Sequence, residues 1–193
     1  MKIALLACIH GNARALADVL SHARRKGAEE IHALGDLVGG GPSPLATVKL
    51  LRRNEVRCLA GEWDVAVATG KPLPPGACGP AGDAAQALEE TRDALDAASL
   101  AWLRSLPAGT RFARAGRTFA LAHGHGPRGV LAADVLVLGH LHTPSVARSS
   151  TGLLLQPGAV GDGPEASYVL LDDQALAASV ERVLVDVRVP ATA

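Results

Sequence analysis

The order of apolar runs over residues 1–36 constrains the fold more than any other feature of this chain. The run IALLAC is continuously apolar, which is typical of a strand buried on both faces. In ARALADVLSHARRKG, apolar residues recur at helical spacing, with Asn12 as a candidate N-cap and Gly27 as a stop. EEIHALGD then predicts a second strand. Two strands joined by a helical crossover run parallel, so the chain is predicted to open with a βαβ unit of an α/β fold.

The character of the sequence changes at Pro107. Before it, we predict a second helix from about Leu45 to Arg53, a short strand running into a loop in VRCLAGEWD, and a helical stretch from about Ala84 to Leu106. The intervening GKPLPPGACGPAG predicts either a loop over the site or a spacer. After Pro107, short apolar runs separated by turn signals such as ARAG and SSTG predict a mostly β second half. We therefore expect one domain over residues 1–193, with two packed sheets flanked by helices.

Charge and cysteine content limit the partners and the compartment. The 193 residues carry 19 basic and 19 acidic side chains, which provides no field to attract nucleic acid or a membrane surface. No apolar stretch reaches the roughly 18–20 residues of a membrane span. Cysteine occurs three times without regular spacing, so we expect no disulfide framework and a cytoplasmic location. LLAC resembles a lipoprotein cleavage box, but the apolar run before Cys8 is shorter than the roughly 7–15 residues of a signal peptide.

Residue types that bind metals follow apolar runs at four places. These are CIHGN (Cys8, His10), LGDLVGGGP (Asp36), AHGHGP (His123, His125) and LGHLHTP (His140, His142). Ligands of open α/β sheets gather beyond the carboxyl ends of the strands, and the neighbouring glycines allow tight turns there. Each stretch alone also fits a surface histidine or a turn residue. Together they predict one convergent metal site.

In this order, the motifs resemble those of the calcineurin-like metallophosphoesterase superfamily, in particular its small bacterial and archaeal phosphodiesterases. The family pattern is D-x-H, G-D, G-N-H-D, a single H before G, and G-H-x-H. The resemblance spans nearly the whole chain and includes the QPGAVG turn and the late ASYVLLD strand. It implies a metallo-dependent phosphatase-like α/β fold, a four-layer sandwich of two mixed β-sheets flanked by α-helices. It also implies two divalent metal ions bridged by one aspartate.

The resemblance assigns a role to each candidate ligand. One metal would be bound by Cys8, His10, Asp36 and His142, and the other by Asp36, Glu62, His123 and His140. Asp36, His123 and His140 would also be the catalytic residues. Two cations about 3.5–4 Å apart hold a bridging hydroxide and clamp the phosphoryl oxygens during in-line attack. Histidines with a bridging carboxylate favour Mn, Fe, Zn or Co over Mg or Ca.

Three positions depart from the family pattern. Cys8 stands in place of the first Asp, Glu62 in place of the Asn, and Trp63 in place of the His of G-N-H-D, whereas Asp64 is retained. A thiolate and a carboxylate can both bind metal, and a thiolate favours Zn or Fe. Cys8 could equally be a buried filler in a dismantled site. Trp63 has no titratable proton near neutral pH; its ring could stack on a nucleobase or aryl group, or could simply fill the pocket.

The leading hypothesis is a dinuclear phosphodiesterase that uses a metal-bound hydroxide, with Mn, Fe or Zn as cofactor. Trp63, His125 and Arg128 are the candidate substrate-binding residues, and the expected substrate is a small phosphodiester or a nucleotide. Two alternatives stay open. One is a degenerate member that binds a phosphorylated ligand or a protein partner without turnover, and the other is a phosphomonoesterase. The sequence leaves open whether the chain forms a homo-oligomer.

Overall fold

The computed structural model describes residues 1–77, 83–124, 133–150 and 152–185. The strands are β1 (Lys2–Leu6), β2 (Glu30–Leu34), β3 (Arg57–Leu59), β4 (Gly109–Arg114), β5 (Arg117–Ala122), β6 (Val135–Leu138), β7 (Ser145–Ser149), β8 (Gly152–Gln156), β9 (Glu165–Asp172) and β10 (Ala177–Leu184). The helices are α1 (Ala13–Arg25), α2 (Pro44–Arg53), α3 (Glu62–Thr69), α4 (Ala84–Asp93) and α5 (Ala97–Ser105).

The strands form two mixed five-stranded sheets. The first has the order β10-β9-β1-β2-β3, and the second has the order β4-β5-β6-β8-β7. In the first sheet β1, β2 and β3 are parallel, and in the second β5, β6 and β8 are parallel. The predicted α/β fold with two mixed sheets and flanking helices is confirmed.

The opening βαβ unit is confirmed in detail. The Asn12 side chain accepts a hydrogen bond from the Ala15 amide at 3.0 Å, which satisfies one of the free donors at the start of α1. α1 buries Leu16, Val19 and Leu20, the apolar face predicted from the helical spacing. The crossover therefore returns the chain to the first sheet with β2 parallel to β1.

Two apolar layers hold the sheets in place. One lies between the sheets and joins Leu5 and Leu34 of the first sheet to Leu121 and Val137 of the second. The other lies between the first sheet and its helices, and includes residues of α1, α2, α3 and α5. The strands β1 and β2 are thus covered on both faces, which explains their uninterrupted apolar sequences.

Two predicted segments differ from the structure. Residues after β3 form helix α3 where a loop was predicted, and the helical stretch up to Leu106 is divided into α4 and α5. The division occurs because the Asp96 carboxylate accepts a hydrogen bond from the Ser99 amide at 2.7 Å and begins a new helix there. Part of the glycine- and proline-rich segment, residues 78–82, lies outside the described residues.

The predicted ARAG hairpin is present between β4 and β5. Its two central residues, Ala115 and Gly116, both have positive φ (50° and 72°), as a two-residue type I′ turn requires. Among the helices that the structure describes, none is long and apolar enough to cross a membrane.

Candidate metal centre

The parallel strands deliver their following residues to one edge of the molecule. Cys8 and His10 follow β1, Asp36 follows β2, and His123 follows β5. The first two turns are joined by backbone hydrogen bonds, since the amides of Ile9 and His10 both donate to the Asp36 carbonyl at 2.8 and 2.9 Å. His140 and His142 follow β6, and Glu62 opens α3 after β3.

All seven predicted ligands fall into two clusters. In each cluster, one candidate ligand atom per residue lies within 4.8 Å of the others. The first cluster is Cys8, His10 and His142, and the second is Asp36, Glu62, His123 and His140. These are the two groups that the resemblance implies, apart from the expected sharing of Asp36 with the first.

The second cluster is a compact group of nitrogen and oxygen donors. His123 Nε2 lies 3.2 Å from Asp36 Oδ2 and 2.6 Å from Glu62 Oε2, and His140 Nδ1 lies 3.3 Å from Glu62 Oε1. Asp36 Oδ2, Glu62 Oε2 and His123 Nε2 are buried, and among the described residues none of these three atoms has a hydrogen bond of good geometry. The other ring nitrogen of His123, Nδ1, donates to the Leu34 carbonyl at 2.6 Å, which turns Nε2 toward the carboxylates. Buried donors aimed at a common point fit a divalent metal ion.

The electrostatics of the second cluster favour a positive charge between the Asp36, Glu62 and His123 side chains. Burial lowers the pKa of His123, but the Asp36 and Glu62 carboxylates outweigh burial and raise it to about 10. Burial raises the pKa of Glu62, but His123 outweighs burial and lowers it to about 2. A dication at the same point would replace the proton on His123, because a histidine binds metal through an unprotonated nitrogen.

The first cluster is more buried and contains the only thiol of the set. Cys8 is fully buried and His10 is 3 % exposed, with His10 Nε2 lying 3.4 Å from His142 Nε2. Burial lowers the pKa of His10, assisted by the neighbouring histidines and opposed by Asp36, so the neutral ring is favoured. A neutral imidazole beside a thiol is a donor set suited to Zn or Fe.

Asp162 is a supporting residue that the sequence analysis missed. Its Oδ2 lies 3.0 Å from His142 Nδ1, so the carboxylate holds the Nδ1 proton and leaves Nε2 facing His10. Asp162 directly follows the QPGAVG turn, where an aspartate ordinarily indicates only a turn. That position beside a family motif was the one available signal.

The backbone is strained where it presents the ligands. Cys8, His10, Asp36 and His140 have φ values of 53°, 48°, 51° and 69°, and they make up four of the seven non-glycine residues with positive φ in the described ranges. This conformation costs about 1–3 kcal/mol for each such residue and persists only where the surrounding structure enforces it. Its concentration at the two clusters supports a functional role for this edge.

Trp63 is packed inside the protein and is only 2 % exposed. Its ring lies edge-on to His10, with 6.2 Å between the ring centroids, and against Gly39, where an added Cβ would approach Trp63 Cε3 to 2.4 Å. Its backbone amide donates to Asp36 Oδ1 at 2.9 Å. Of the two interpretations of this residue, the structure favours filling of the pocket over stacking with a base.

Asp64 joins the turn that carries Asp36 to the start of α3. Its carboxylate accepts hydrogen bonds from the amides of Leu37, Val38 and Gly61 at 2.9, 3.1 and 2.9 Å. Burial and the charge of Asp36 raise the pKa of Asp64 to about 7, against the effect of these three amides.

The remaining candidate substrate-binding residues, His125 and Arg128, lie outside the described residues.

Comparison with known proteins agrees with this geometry. Residues 1–175 match the calcineurin-like phosphoesterase superfamily domain, and the chain belongs to this superfamily. It is 26 % identical to the uncharacterized protein MJ0912 of Methanocaldococcus jannaschii, over 96 % of this chain and 88 % of that protein.

Solved structures show the same fold. A metallophosphoesterase from Sphaerobacter thermophilus superposes with a TM-score of 0.77 at 26 % identity, covering 96 % of this chain and 89 % of the other. The hypothetical protein PH1004 of Pyrococcus horikoshii OT3 superposes with a TM-score of 0.81 at 20 % identity, covering 97 % and 89 %. The family is one of phosphoesterase hydrolases, and this chain carries residue clusters that could hold metal.

Proposed function

We propose that this protein is a dinuclear metal-dependent phosphodiesterase in which Cys8 and Glu62 replace two of the usual ligands. The observation that carries the proposal is the pair of adjoining donor clusters at one sheet edge. Both altered positions contribute a donor atom to a cluster, which is not expected of residues that merely fill a dismantled site. Two bound divalent cations would supply the nucleophile and stabilise charge on the phosphoryl group.

The residues of the two clusters would form two adjoining metal sites that differ in their donor atoms. Asp36 is suited to bridge the two ions, because Oδ2 faces His123 while its charge also acts on His10. His123 and His140 complete the second site with Glu62, and His10 and His142 complete the first with Cys8. The thiol favours Zn or Fe in the first site, whereas the nitrogen and oxygen donors of the second also suit Mn.

The absence of an acidic side chain at position 63 favours esters with a good leaving group. A buried indole that packs against Gly39 cannot protonate a departing alkoxide. Substrates whose leaving group departs as a stable anion do not need that proton. We therefore propose a phosphodiester or nucleotide with a good leaving group as substrate, and His125 and Arg128 as residues that contact it.

The compartment and the domain organisation belong to the same proposal. Cys8 and Cys58 are buried and lie in no disulfide, and burial raises the pKa of Cys58, which keeps that thiol unreactive. Free thiols fit a reducing, cytoplasmic location. We also propose that residues 1–193 form one domain.

The test compares metal content with turnover in the full chain. Protein loaded with Mn²⁺ or Zn²⁺ should hold two ions per chain and hydrolyse bis(p-nitrophenyl) phosphate faster than p-nitrophenyl phosphate. Asp36→Asn should lose both properties, whereas Asp18→Asn, an exchange of the same kind on α1, should lose neither. Two bound ions without turnover of either ester would replace the enzyme with a phospho-ligand-binding member of the family. Faster monoester turnover would identify a phosphomonoesterase.

A further inference from the structure

A cavity of about 520 Å³ adjoins the second donor cluster, and most of its lining residues are not candidate metal ligands. It shares Glu62 and His123 with the cluster, and it extends from them between α3 and the segment that follows α3. Its volume falls within the 300–1,000 Å³ typical of small-molecule sites. A phosphoryl group held at the cluster can therefore extend an ester substituent into this cavity without crossing protein.

The walls of the cavity beyond the cluster are apolar with one cation. Val65, Pro72, Pro74 and Ala108 supply apolar surface, and Lys71 supplies the charge. Val65 is 49 % exposed and is one of only four large hydrophobic side chains that are exposed in the described part of the chain. Val65 lies three residues after Glu62 on α3 and lines the same cavity, so a ligand that extends from the cluster into the cavity would cover apolar surface that is exposed in the free chain.

We propose that this cavity, defined by Val65, Lys71, Pro72, Pro74 and Ala108, binds a bulky apolar substituent of the substrate. The inference rests on the proposed function and specifies its substrate class: an ester with a bulky apolar substituent, for which an aryl ring serves as the probe. Lys71 lies where it pairs with a further anionic group on that substituent. This assigns ring recognition to the cavity and removes it from Trp63, whose ring is buried.

The experiment measures binding and does not depend on turnover. Isothermal titration of the Mn²⁺-loaded chain compares methylphosphonate with naphthylphosphonate, which share the metal-binding group and differ in the substituent. We expect the naphthyl compound to bind about tenfold more tightly, since burial of roughly 60 Å² of ring surface corresponds to that factor. A carboxylated naphthylphosphonate should gain a further few-fold that Lys71→Gln removes.

Two variants locate the effect in the cavity. Val65→Asn keeps a similar helix propensity and size, and Ala108→Trp fills the space from an exposed loop position. Both should abolish the preference for the naphthyl compound and leave methylphosphonate binding unchanged. Val146→Asn is the matched control, because Val146 is also an exposed valine (39 %) but lies on β7, which is not part of the cavity.

The outcomes separate this inference from the proposed function. Equal affinities for the two phosphonates in the unmodified chain would overturn the inference, as would variants that weaken both ligands equally. A preference that depends on Val65 and Ala108, in a chain that hydrolyses no diester, would support the cavity and contradict the phosphodiesterase. Diester hydrolysis without that preference would support the phosphodiesterase and contradict the inference about the cavity.

Discussion

Replacement of Gly61 by alanine tests whether the start of α3 fixes the Asp36 carboxylate. Gly61 has φ −102° and ψ −176°, which alanine adopts without strain. An added Cβ, however, would lie 2.2 Å from Asp36 Oδ1 and 2.3 Å from the Asp36 amide nitrogen. Both distances are more than 1 Å inside the 3.4–4 Å of ordinary van der Waals contact. Because the backbone is one of the two obstacles, rotation of the carboxylate alone cannot relieve the overlap.

The expected result is a displaced Asp36 carboxylate in a folded chain. Overpacking of this kind costs about 1–3 kcal/mol. At about 2–4 °C per kcal/mol for a chain of this size, Tm should fall by roughly 2–12 °C. Metal affinity should fall by about 10–100-fold, the range found when groups that orient metal ligands are altered. Differential scanning calorimetry measures the first effect, and titration of the metal-free chain with Zn²⁺ against a chelator measures the second.

Gly116→Ala is the matched control, because Gly116 lies in the β4–β5 turn at φ +72° with no atom within 4 Å of an added Cβ. It should cost about 1–2 kcal/mol through backbone strain alone and leave metal binding unchanged. Stability therefore does not distinguish the two variants, whereas metal affinity does. If Gly61→Ala bound Zn²⁺ as tightly as the unmodified chain, the absence of a side chain at position 61 would not be required for the position of the Asp36 carboxylate.

Three further predictions address the first cluster and the scaffold. Asp162→Ala should weaken one of the two proposed metal sites about 10–100-fold, because His142 loses the carboxylate that orients it. Asp162→Asn should restore part of that loss, and Glu165→Ala, which removes a nearby exposed acid, should have no effect. Equal metal titration curves for all three variants would rule out the orienting role of Asp162. The chain loaded with Co²⁺ should show thiolate-to-metal charge-transfer absorption in the near ultraviolet. Cys8→Ser should abolish this absorption band, and Cys58→Ser should preserve it. A band that survives Cys8→Ser would exclude Cys8 as the ligand. Asn12→Ala should lower the free energy of unfolding by about 1 kcal/mol, because the N-cap of α1 is lost. Urea unfolding of the metal-free chain measures this effect, and metal content should not change. A loss below about 0.3 kcal/mol would show that the cap contributes little.

The sequence predicts the fold and the ligand clusters well because both depend on local pattern. An apolar run followed closely by a polar residue, as at His10 and Asp36, indicates both a buried strand and the edge where it ends. Parallel strands place their ends on the same edge, so the convergence follows from topology without knowledge of distances. The candidate ligands that follow β1, β2, β5 and β6 were all predicted in this way, and the structure brings them into the two clusters.

The parts that the sequence did not predict depend on tertiary contacts. The helix after β3 has the eight-residue mixed sequence EWDVAVAT, and the Asp64 carboxylate joins it to a distant turn by accepting from the Leu37 and Val38 amides. The role of Asp162 depends on a histidine twenty residues earlier in the chain. Trp63 illustrates the same limit, because whether an indole is a platform or a filler depends on Gly39, which allows the ring to lie against the backbone.

The strained turns have a consequence for the order of events during folding. Left-handed residues such as Cys8 and His140 are unfavourable in an isolated peptide, and five of the ten strands lie between them in the chain. Both donor clusters combine residues that are more than 100 positions apart, so neither is complete until strands of both sheets are in place, and metal ions should favour the native state. By mass action, a metal present at 100 times its dissociation constant would then stabilise the native chain by about 2.7 kcal/mol. Under metal limitation, the same linkage would make the lifetime of the protein follow the supply of the ion.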